Sequence, residues 1–325
     1  MALIQSQPRR MEGPLRWVSM KRSGLKAKNL LATPGFSGQV LAVLPDVTYL
    51  LGNNGEILWL LRDGLPLHRR SIEISFLPPS SCRGQDFFVE DHFLKIGRGL
   101  TYDLRSATEW KPLPLNLEER GPLQKKQASV RQLLEVISFS GSHNNPDELI
   151  FMISLLVKGQ PFAIYPLELM SNKIYTPILN LAKLYLGQGM ANVLISARGL
   201  VGLGPGLTPA GDDFLGGILF ASHWLKKVYP EEFSWDEQPI CDLIEWAKDR
   251  THPISFTILK DLALGHGPEP LHELVVRLLQ EEDPVRGMNC ADSLGRLGHT
   301  TGWHILAGFL TGMLLLPDKP NRFWS

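Results

Sequence analysis

The chain has 325 residues, of which 44% are hydrophobic and 20% charged, so a disordered chain, a collagen and a coiled coil are excluded. Its 33 basic and 33 acidic side chains cancel, which argues against nucleic acid as a partner. Three cysteines without a CxxC pair, and no secretory signal, predict a reducing, cytoplasmic location. No apolar run reaches the roughly 20 residues that a bilayer needs, so no membrane partner is expected.

The first segment, residues 1–28, holds seven basic residues and one acid, and it has no apolar core. It is predicted to be a flexible basic arm, with a targeting or partner-binding segment as the alternative.

Residues 29–115 show short apolar runs that alternate with turn signals. The Asn53-Asn54-Gly55 turn separates two of these runs, because Asn and Gly tolerate a positive φ. Closely spaced short strands predict a small β-barrel or sandwich. The predicted strands are 39–44, 47–51, 56–61, 71–77, 87–89, 93–96 and 100–104.

Residues 116–325 change to a helical period, and their net charge is −5 where residues 1–115 carry +5. The fold class is therefore α+β, with a β-rich domain at 29–115 and a mainly helical domain at 116–325. The predicted helices are 123–139, 149–157, 167–186, 214–228, 240–247, 255–264, 271–279 and 305–316.

The most informative stretch runs from Gly199 to Asp213 and holds five glycines and two prolines. Thr208 and Pro209 have the pattern of a hydroxyl cap followed by proline at the first helical position. A glycine loop that leads into a helix N-terminus is a natural anion site. The stretch has neither the Lys-Ser/Thr pair of a phosphate-binding P-loop nor the spacing of a dinucleotide fingerprint. A tight turn that only allows close helix packing is the alternative.

A second stretch repeats this pattern, since 302–308 matches 211–217 as Gly-x-(Asp/His)-(Phe/Ile)-Leu-(Gly/Ala)-Gly. Glycine inside a helix costs about 1 kcal/mol, and close helix–helix contact would compensate for it. The repeat predicts two loop–helix elements with converging N-termini, in which Asp213 and His304 hold equivalent positions. Gly217 and Gly308 would permit the contact between the two helices.

Four side chains are candidates for catalysis: Asp212, Asp213, His299 and His304. The two acids are either first-turn residues stabilised by the helix dipole, or groups that bind a substrate amine or amide, hold a metal or transfer a proton. The histidines are five residues apart, which is not the spacing of a helical zinc pair, and each can be a structural side chain. A divalent metal is possible, and no other cofactor is indicated. The predicted ligand-binding residues are Gly204, Pro205, Gly206, Thr208, Gly211, Thr251, Ser255, Thr300, Thr301 and Gly302.

The segments 202–213, 251–255 and 298–303 together resemble a bacterial family long described as a domain of unknown function. Its members include the small subunit of the oxamate carbamoyltransferase of anaerobic allantoin breakdown. The resemblance covers roughly residues 35–315 and implies phosphorolysis of oxalurate to oxamate and carbamoyl phosphate by a complex of different subunits. The family has an acidic residue after the Gly-Trp pair where this chain has His304, so the exact carboxylate or ureide stays open.

The resemblance implies two partners, a small anionic substrate and other subunits of a hetero-oligomeric complex. Backbone N–H groups near Gly204, Gly206 and Thr208 would stabilise an oxyanion or phosphate. Asp213 would accept a hydrogen bond from a carbamoyl NH2 group, and His299 or His304 would move a proton. The alternative is a non-catalytic, ligand-binding scaffold subunit, because no Cys, Ser or Lys has an obvious nucleophile setting.

Overall fold

The computed structural model describes residues 16–139, 148–160, 173–188, 190–281 and 284–315. The chain divides into two units, of which the first ends at Lys111 and the second begins at Pro112. Each unit has its own cluster of buried apolar side chains. The predicted α+β fold is confirmed, because a β-barrel is followed by a helical unit.

The first unit is a closed barrel of eight strands with a ninth strand on its rim. Around the barrel the strands follow the order β5-β4-β3-β2-β6-β7-β8-β1, and β1 pairs with β5 to close the ring. Of the two predicted alternatives, barrel and sandwich, the structure has the barrel. Its elements are β1 (Arg16–Gly24), α1 (Leu25–Leu31), β2 (Ser37–Val43), β3 (Val47–Gly52), β4 (Ile57–Arg62), β5 (Ser71–Ile74), β6 (Asp86–Glu90), β7 (Phe93–Ile96), β8 (Leu100–Asp103) and β9 (Thr108–Trp110).

Strand β1 corrects the prediction of a flexible arm over residues 1–28. Residues 16–24 are the strand that closes the barrel, and α1 follows directly at Leu25. Val18 and Met20 point into the core, although basic residues surround them in the sequence. The arm prediction is therefore wrong from residue 16 onward, and residues 1–15 lie outside the described part of the chain.

The barrel core follows from the alternation of side chains along each strand. In β3, Thr48, Leu50 and Gly52 are buried while their neighbours are half-buried, as the two faces of a strand require. The predicted turn at residues 53–55 is confirmed, and Gly55 has a φ of 79° there. This conformation is easy for glycine and strained for other residues.

The second unit consists of ten described helices around one apolar core. They are α2 (Leu123–Phe139), α3 (Glu148–Val157), α4 (Tyr175–Gln188), α5 (Met190–Ala197), α6 (Ala210–Val228), α7 (Gln238–Ala247), α8 (Pro253–Ala263), α9 (Glu269–Val276), α10 (Pro284–Gly295) and α11 (Thr301–Gly312). No helix in the described part of the chain is long and apolar enough to cross a membrane.

The predicted helices all have a counterpart here, apart from their ends, but α5 and α10 were not predicted. Helix α10 has a polar, glycine-containing sequence in which an apolar period is hard to see. Part of the predicted helix at 167–186 falls on residues 161–172, which lie outside the described residues. Helix α6 begins at Ala210 rather than at Pro209 or Phe214, and α11 begins at Thr301, so both glycine patterns lie at helix starts.

Candidate functional site

Helices α6 and α11 pack at backbone distance, and two glycines make this possible. A Cβ added at Gly217 would lie 2.2 Å from the carbonyl oxygen of Ile305. A Cβ added at Gly308 would lie 2.0 Å from the carbonyl oxygen of Phe214. No real side chain fits at such distances, so the predicted role of Gly217 and Gly308 in close helix contact is confirmed.

The two helices run in the same direction. Their contacts pair early residues with early residues, Phe214 with Gly308, and later residues with later ones, Ile218 with Gly312. Tyr185 of α4 supports this pair, because its hydroxyl is 2.8 Å from the Ser222 hydroxyl and donates to the Gly312 carbonyl at 3.1 Å. The parallel arrangement brings both helix N-termini to the same end of the unit.

The loops before the two helices meet through their threonines. The hydroxyl oxygens of Thr208 and Thr301 are 2.7 Å apart. The predicted convergence of the two loop–helix elements is therefore confirmed. Thr208 does not cap α6 as predicted, because its hydroxyl is used in this contact and the position before the helix is taken by Pro209. Neither α6 nor α11 has a side-chain hydrogen bond at its cap position. The Gly211 and Gly302 N–H groups donate to the Leu203 and Leu297 carbonyls, while the N–H groups of the first helical residues, Ala210 and Thr301, donate no hydrogen bond among the described residues.

The glycine loop owes its shape to positive φ angles. Gly202, Gly204 and Gly206 have φ values of 74°, 120° and 94°. Within the described part of the chain, the N–H groups of Gly204, Gly206 and Thr208 donate no hydrogen bond. Pro205 and Gly206 are exposed, so the loop opens to solvent. The loop thus presents unused backbone donors beside two uncapped helix starts.

Asp212 ties this loop to a third helix start. Its carboxylate accepts hydrogen bonds from the Gly202 N–H at 2.8 Å, the Ser255 hydroxyl at 2.7 Å and the Thr251 hydroxyl. Burial raises the pKa of Asp212, although these three hydrogen bonds act in the opposite direction. The predicted ligand residues Thr251 and Ser255 are therefore engaged with Asp212. The carboxylate holds the loop to the start of α8.

Asp213 lies on another face of α6, because successive helical residues point about 100° apart. Its side chain is buried, with 2% of the residue exposed, and among the described residues its Oδ2 atom has no hydrogen-bond partner. Burial raises the pKa of Asp213 well above its ordinary value, and the neighbouring Asp212 adds to this effect, while a hydrogen bond from Thr301 opposes it. A buried carboxyl oxygen without a partner is costly, which is typical of a functional group.

The two candidate histidines differ in their surroundings. His304 is buried in the first turn of α11, three residues after Thr301, and its ring lies edge-on to Tyr175 with 6.2 Å between ring centroids. His299 is exposed in the loop before α11. The structure thus places His304 near the helix starts as predicted, and it does not bury His299 there. Sequence reasoning missed Tyr175, because no local pattern links the start of α4 to α11.

The remaining predicted ligand residues, Gly211, Thr300 and Gly302, lie at the junction where the starts of α6 and α11 meet. Gly211 and Gly302 allow backbone packing, since an added Cβ would lie 2.1 Å from the Leu200 oxygen and 1.7 Å from the Leu294 oxygen, respectively. Thr300 directly precedes α11 and is half-buried. Gly211 and Gly302 are thus explained by packing, and their predicted contact with a ligand remains a prediction.

A metal centre is not supported at this junction. In the part of the chain that the structure describes, no three His, Cys, Asp or Glu side chains are grouped so that they could hold a metal ion. The physical reason is that Asp212 and Asp213 contact different neighbours, and His299 is exposed to solvent. The arrangement instead offers backbone donors, one buried acid and one buried imidazole.

Together these features define an α+β protein with a glycine-loop site at three converging helix starts. The family model described as "Oxamate carbamoyltransferase subunit AllH" matches residues 200–313, from the glycine loop through α11. This match supports the membership of the chain in that family and agrees with the resemblance found in the sequence. No solved structure matches the chain.

Proposed function

We propose that the chain is a subunit of a carbamoyltransferase-type complex, and that its glycine-loop site binds a small anionic ureide or carboxylate. The observation that carries this proposal is the buried Oδ2 of Asp213, which has no hydrogen-bond partner among the described residues and lies beside two helix starts without a side-chain cap. The matching family model is described as a subunit of oxamate carbamoyltransferase, and the matched residues, 200–313, include this site. Oxalurate, with phosphate as the second substrate, is the reaction partner that the family resemblance favours.

The anionic part of the ligand is held by the backbone. The N–H groups of Gly204, Gly206 and Thr208 are unused among the described residues, and the positive ends of the α6 and α11 dipoles lie beside them. Such donors bind carboxylate or phosphate oxygens without any basic side chain. This explains how an anion site exists without a lysine or arginine in the loop.

An anion alone does not explain Asp213. Burial raises the pKa of Asp213, so the ligand-free site favours the protonated carboxyl, and a purely anionic ligand would favour that form further. A ligand N–H group that faces Asp213 would instead stabilise the carboxylate, because it donates a hydrogen bond to the charged form. Oxamate, oxalurate and carbamoyl phosphate each carry both an anionic group and an NH2 or NH group. The combination of backbone donors and one buried acceptor therefore fits this substrate class better than a simple phosphate or carboxylate.

The reaction would proceed by attack of a phosphate oxygen on the carbamoyl carbon of oxalurate. The new C–O bond forms as the bond between that carbon and the oxamate nitrogen breaks, and the nitrogen leaves with a proton. The loop N–H groups would stabilise the oxyanion that develops on the carbamoyl oxygen. His304 is the buried group that would deliver the proton, and Asp213 would orient the NH2 group.

A covalent intermediate on this chain is not part of the proposal. The hydroxyl groups around the loop are engaged with one another or with a carboxylate, as the pairs Thr208–Thr301 and Ser255–Asp212 show. A nucleophilic hydroxyl needs a neighbouring base that takes its proton. This favours direct attack by phosphate. It also keeps open the alternative that the chain is a ligand-binding scaffold whose partner subunit performs the chemistry.

Calorimetric titration of the purified chain with oxamate and with carbamoyl phosphate tests the site. We expect binding to the native chain and a loss of about ten- to a hundredfold in affinity for Asp213→Asn, which removes a charge-assisted hydrogen bond. Asp249→Asn, at an exposed position after α7, is the control and should bind normally. Unchanged affinity in Asp213→Asn would disprove the role of Asp213.

Phosphorolysis of oxalurate separates the two functions. Activity of the chain by itself would make it the catalytic subunit. Activity only after addition of the other subunits, together with binding of oxamate by this chain, would favour the ligand-binding scaffold. Absence of both binding and activity would overturn the proposed function.

A further inference from the structure

A cavity lies at the other end of α6 from the glycine loop. It has a volume of about 730 Å³ and is bordered by α6, α7, α8 and the segment between α6 and α7. Its α6 residues run from Leu219 to Lys227, and His223 among them is 13 residues beyond Ala210, about 20 Å along the helix axis. The cavity is therefore separate from the proposed carbamoyl site, and its volume is in the range of small-molecule sites.

The walls of this cavity are apolar and partly aromatic. The side chains that form them are Trp235, Ile240, Ile244, Phe256, Ala263 and Leu264. Leu264 is 53% exposed, although it is a large apolar side chain at the end of α8. Apolar and aromatic walls of this kind bind the hydrophobic body of a ligand.

Five charged side chains line the opening of the cavity, here called its mouth, and not all of them are paired. Lys226 is paired with Glu237 at 2.8 Å, and Glu245 lies 3.7 Å from Lys248. Lys260 has no ion pair among the described residues, and the ammonium of Lys227 lies 4.7 Å from the centre of the Trp224 ring. Once the paired charges are set aside, the cations Lys227 and Lys260 remain, so an anionic group is the complement of this mouth.

We infer that this cavity is a second ligand site, which takes an amphipathic small molecule with an aromatic or branched apolar body and one acidic group. The body lies between Trp235 and Phe256, and the acidic group lies at the mouth beside Lys260. The cavity shares α6 and α8 with the glycine loop, since Asp212 and Ser255 join the starts of these two helices. The inference does not depend on the proposed carbamoyl chemistry.

Cys241 provides a reporter inside this cavity. It is the exposed cysteine of the chain, whereas Cys82 and Cys290 are buried. Mild alkylation of the native protein therefore modifies Cys241 first. We expect anilinonaphthalene sulfonate, an aromatic sulfonate, to bind saturably and to slow the alkylation of Cys241 about tenfold.

Two variants and a neutral probe test the parts of the inference. Lys260→Gln should weaken the sulfonate probe about three- to tenfold and leave the neutral analogue N-phenylnaphthylamine unaffected, while Lys125→Gln, at an exposed position of α2, should change neither. Leu264→Trp should fill the mouth and weaken both probes. Its side chain is already exposed, so the variant should fold, and a thermal melt checks this.

The inference is overturned if saturating sulfonate leaves the alkylation rate of Cys241 unchanged, or if Leu264→Trp binds both probes as the native chain does. If both probes bind with equal affinity and Lys260→Gln has no effect, the inference that the ligand carries an acidic group is wrong. Protection of Cys241 by a partner subunit but by neither probe would assign the cavity to a protein–protein contact.

Discussion

At the scale of single residues, the two adjacent acids of α6 have different tasks. Asp212 accepts three hydrogen bonds from the protein, whereas Asp213 keeps a buried oxygen without a partner in the described residues. A fully satisfied carboxylate stabilises the structure, and an unsatisfied one is a cost that a ligand can remove. We therefore interpret Asp212 as a positioning residue and keep Asp213 as the ligand-binding candidate.

Replacement of Asp212 by alanine should destabilise the protein. The change leaves the Gly202 N–H and the hydroxyls of Thr251 and Ser255 without their acceptor, and a buried donor that loses its partner costs about 1–3 kcal/mol. We expect the free energy of unfolding in urea to fall by about 3 kcal/mol, less than the sum because the groups can relax. Asp249→Ala, at an exposed site, should be neutral within about 0.5 kcal/mol. A stability equal to that of the native chain would show that Asp212 does not hold the loop.

Asp213→Asn should have a pH-dependent effect on stability. Burial raises the folded-state pKa of Asp213 above the ordinary value of 3.8, so the folded state prefers the protonated form. This contribution to stability is complete below the unfolded pKa and is lost as the pH rises through the raised folded pKa. The asparagine does not titrate, so its melting temperature relative to the native chain should increase from pH 4 to pH 8.

Thermal melts of both proteins across that range check this expectation. Asp249→Asn should follow the native curve, because its carboxylate is exposed. If Asp213 were only an acid that the helix dipole stabilises, the asparagine would instead be less stable at neutral pH.

At the scale of helices, the site depends on the contact between α6 and α11. Parallel packing through Gly217 and Gly308 is what brings Thr208 next to Thr301 and both helix starts to one place. The glycines are therefore as important to the site as the polar side chains, although they contact no ligand themselves.

Alanine at either glycine should disrupt this contact. The added Cβ would lie 2.2 Å from a carbonyl oxygen at position 217 and 2.0 Å at position 308, and backbone cannot move aside cheaply. We expect each variant to lose about 2–3 kcal/mol of stability in urea unfolding, at the upper end for overpacking. Gly187→Ala is the matched control, because Gly187 is an exposed helical glycine with no atom near its missing Cβ.

That control should be neutral or more stable by up to about 1 kcal/mol, since alanine favours the helix. An equal effect of all three substitutions would mean that helix propensity, and not the contact, determines the result.

The sequence predicted the helix pair because its signals are local and repeated. Gly217 and Gly308 stand at the same place in two similar heptapeptides, and this repetition made their contact predictable. The hydrogen bond from Ser255 to Asp212 joins residues 43 positions apart, and no pattern in either segment predicts it. The aromatic contact of Tyr175 with His304 was missed for the same reason.

Strand β1 shows a different limit of sequence reasoning. Val18 and Met20 alternate as strand residues should, but the basic residues around them suggested a solvated arm. The partners of β1 are β5 and β8, which follow far later in the chain. Only the closure of the barrel makes this polar segment a strand, and closure is a long-range property.

At the scale of the whole molecule, the chain consists of two units with separate cores. The buried cluster of the barrel and that of the helices share no residue. The segment between Lys111 and Arg120 is mostly exposed and contains Pro112 and Pro114, which is typical of a domain boundary. Each unit therefore has the interior that independent folding requires.

Limited proteolysis should reveal this division. Among the described residues we expect the first chymotryptic cut after Leu117, which is 43% exposed, while Leu113 resists because proline follows it. Beyond the cut, the Tyr229 hydroxyl donates to the Gly121 carbonyl at 2.8 Å and holds the chain to the helical unit. Cleavage should therefore stop there and leave two folded fragments, each with a cooperative melt of its own.

Mass spectrometry of the fragments identifies the cut, and circular dichroism follows their melting. Leu117→Ser is the control, because it removes the preferred side chain at an exposed position and should slow the cleavage several-fold without lowering the stability of the intact chain. Early cuts inside β2 to β8, or loss of one fragment's structure as soon as the chain is cleaved, would show that the two units depend on each other. In that case the barrel would be required for the glycine-loop site to persist, and oxamate binding by the cleaved protein would be lost together with the fold.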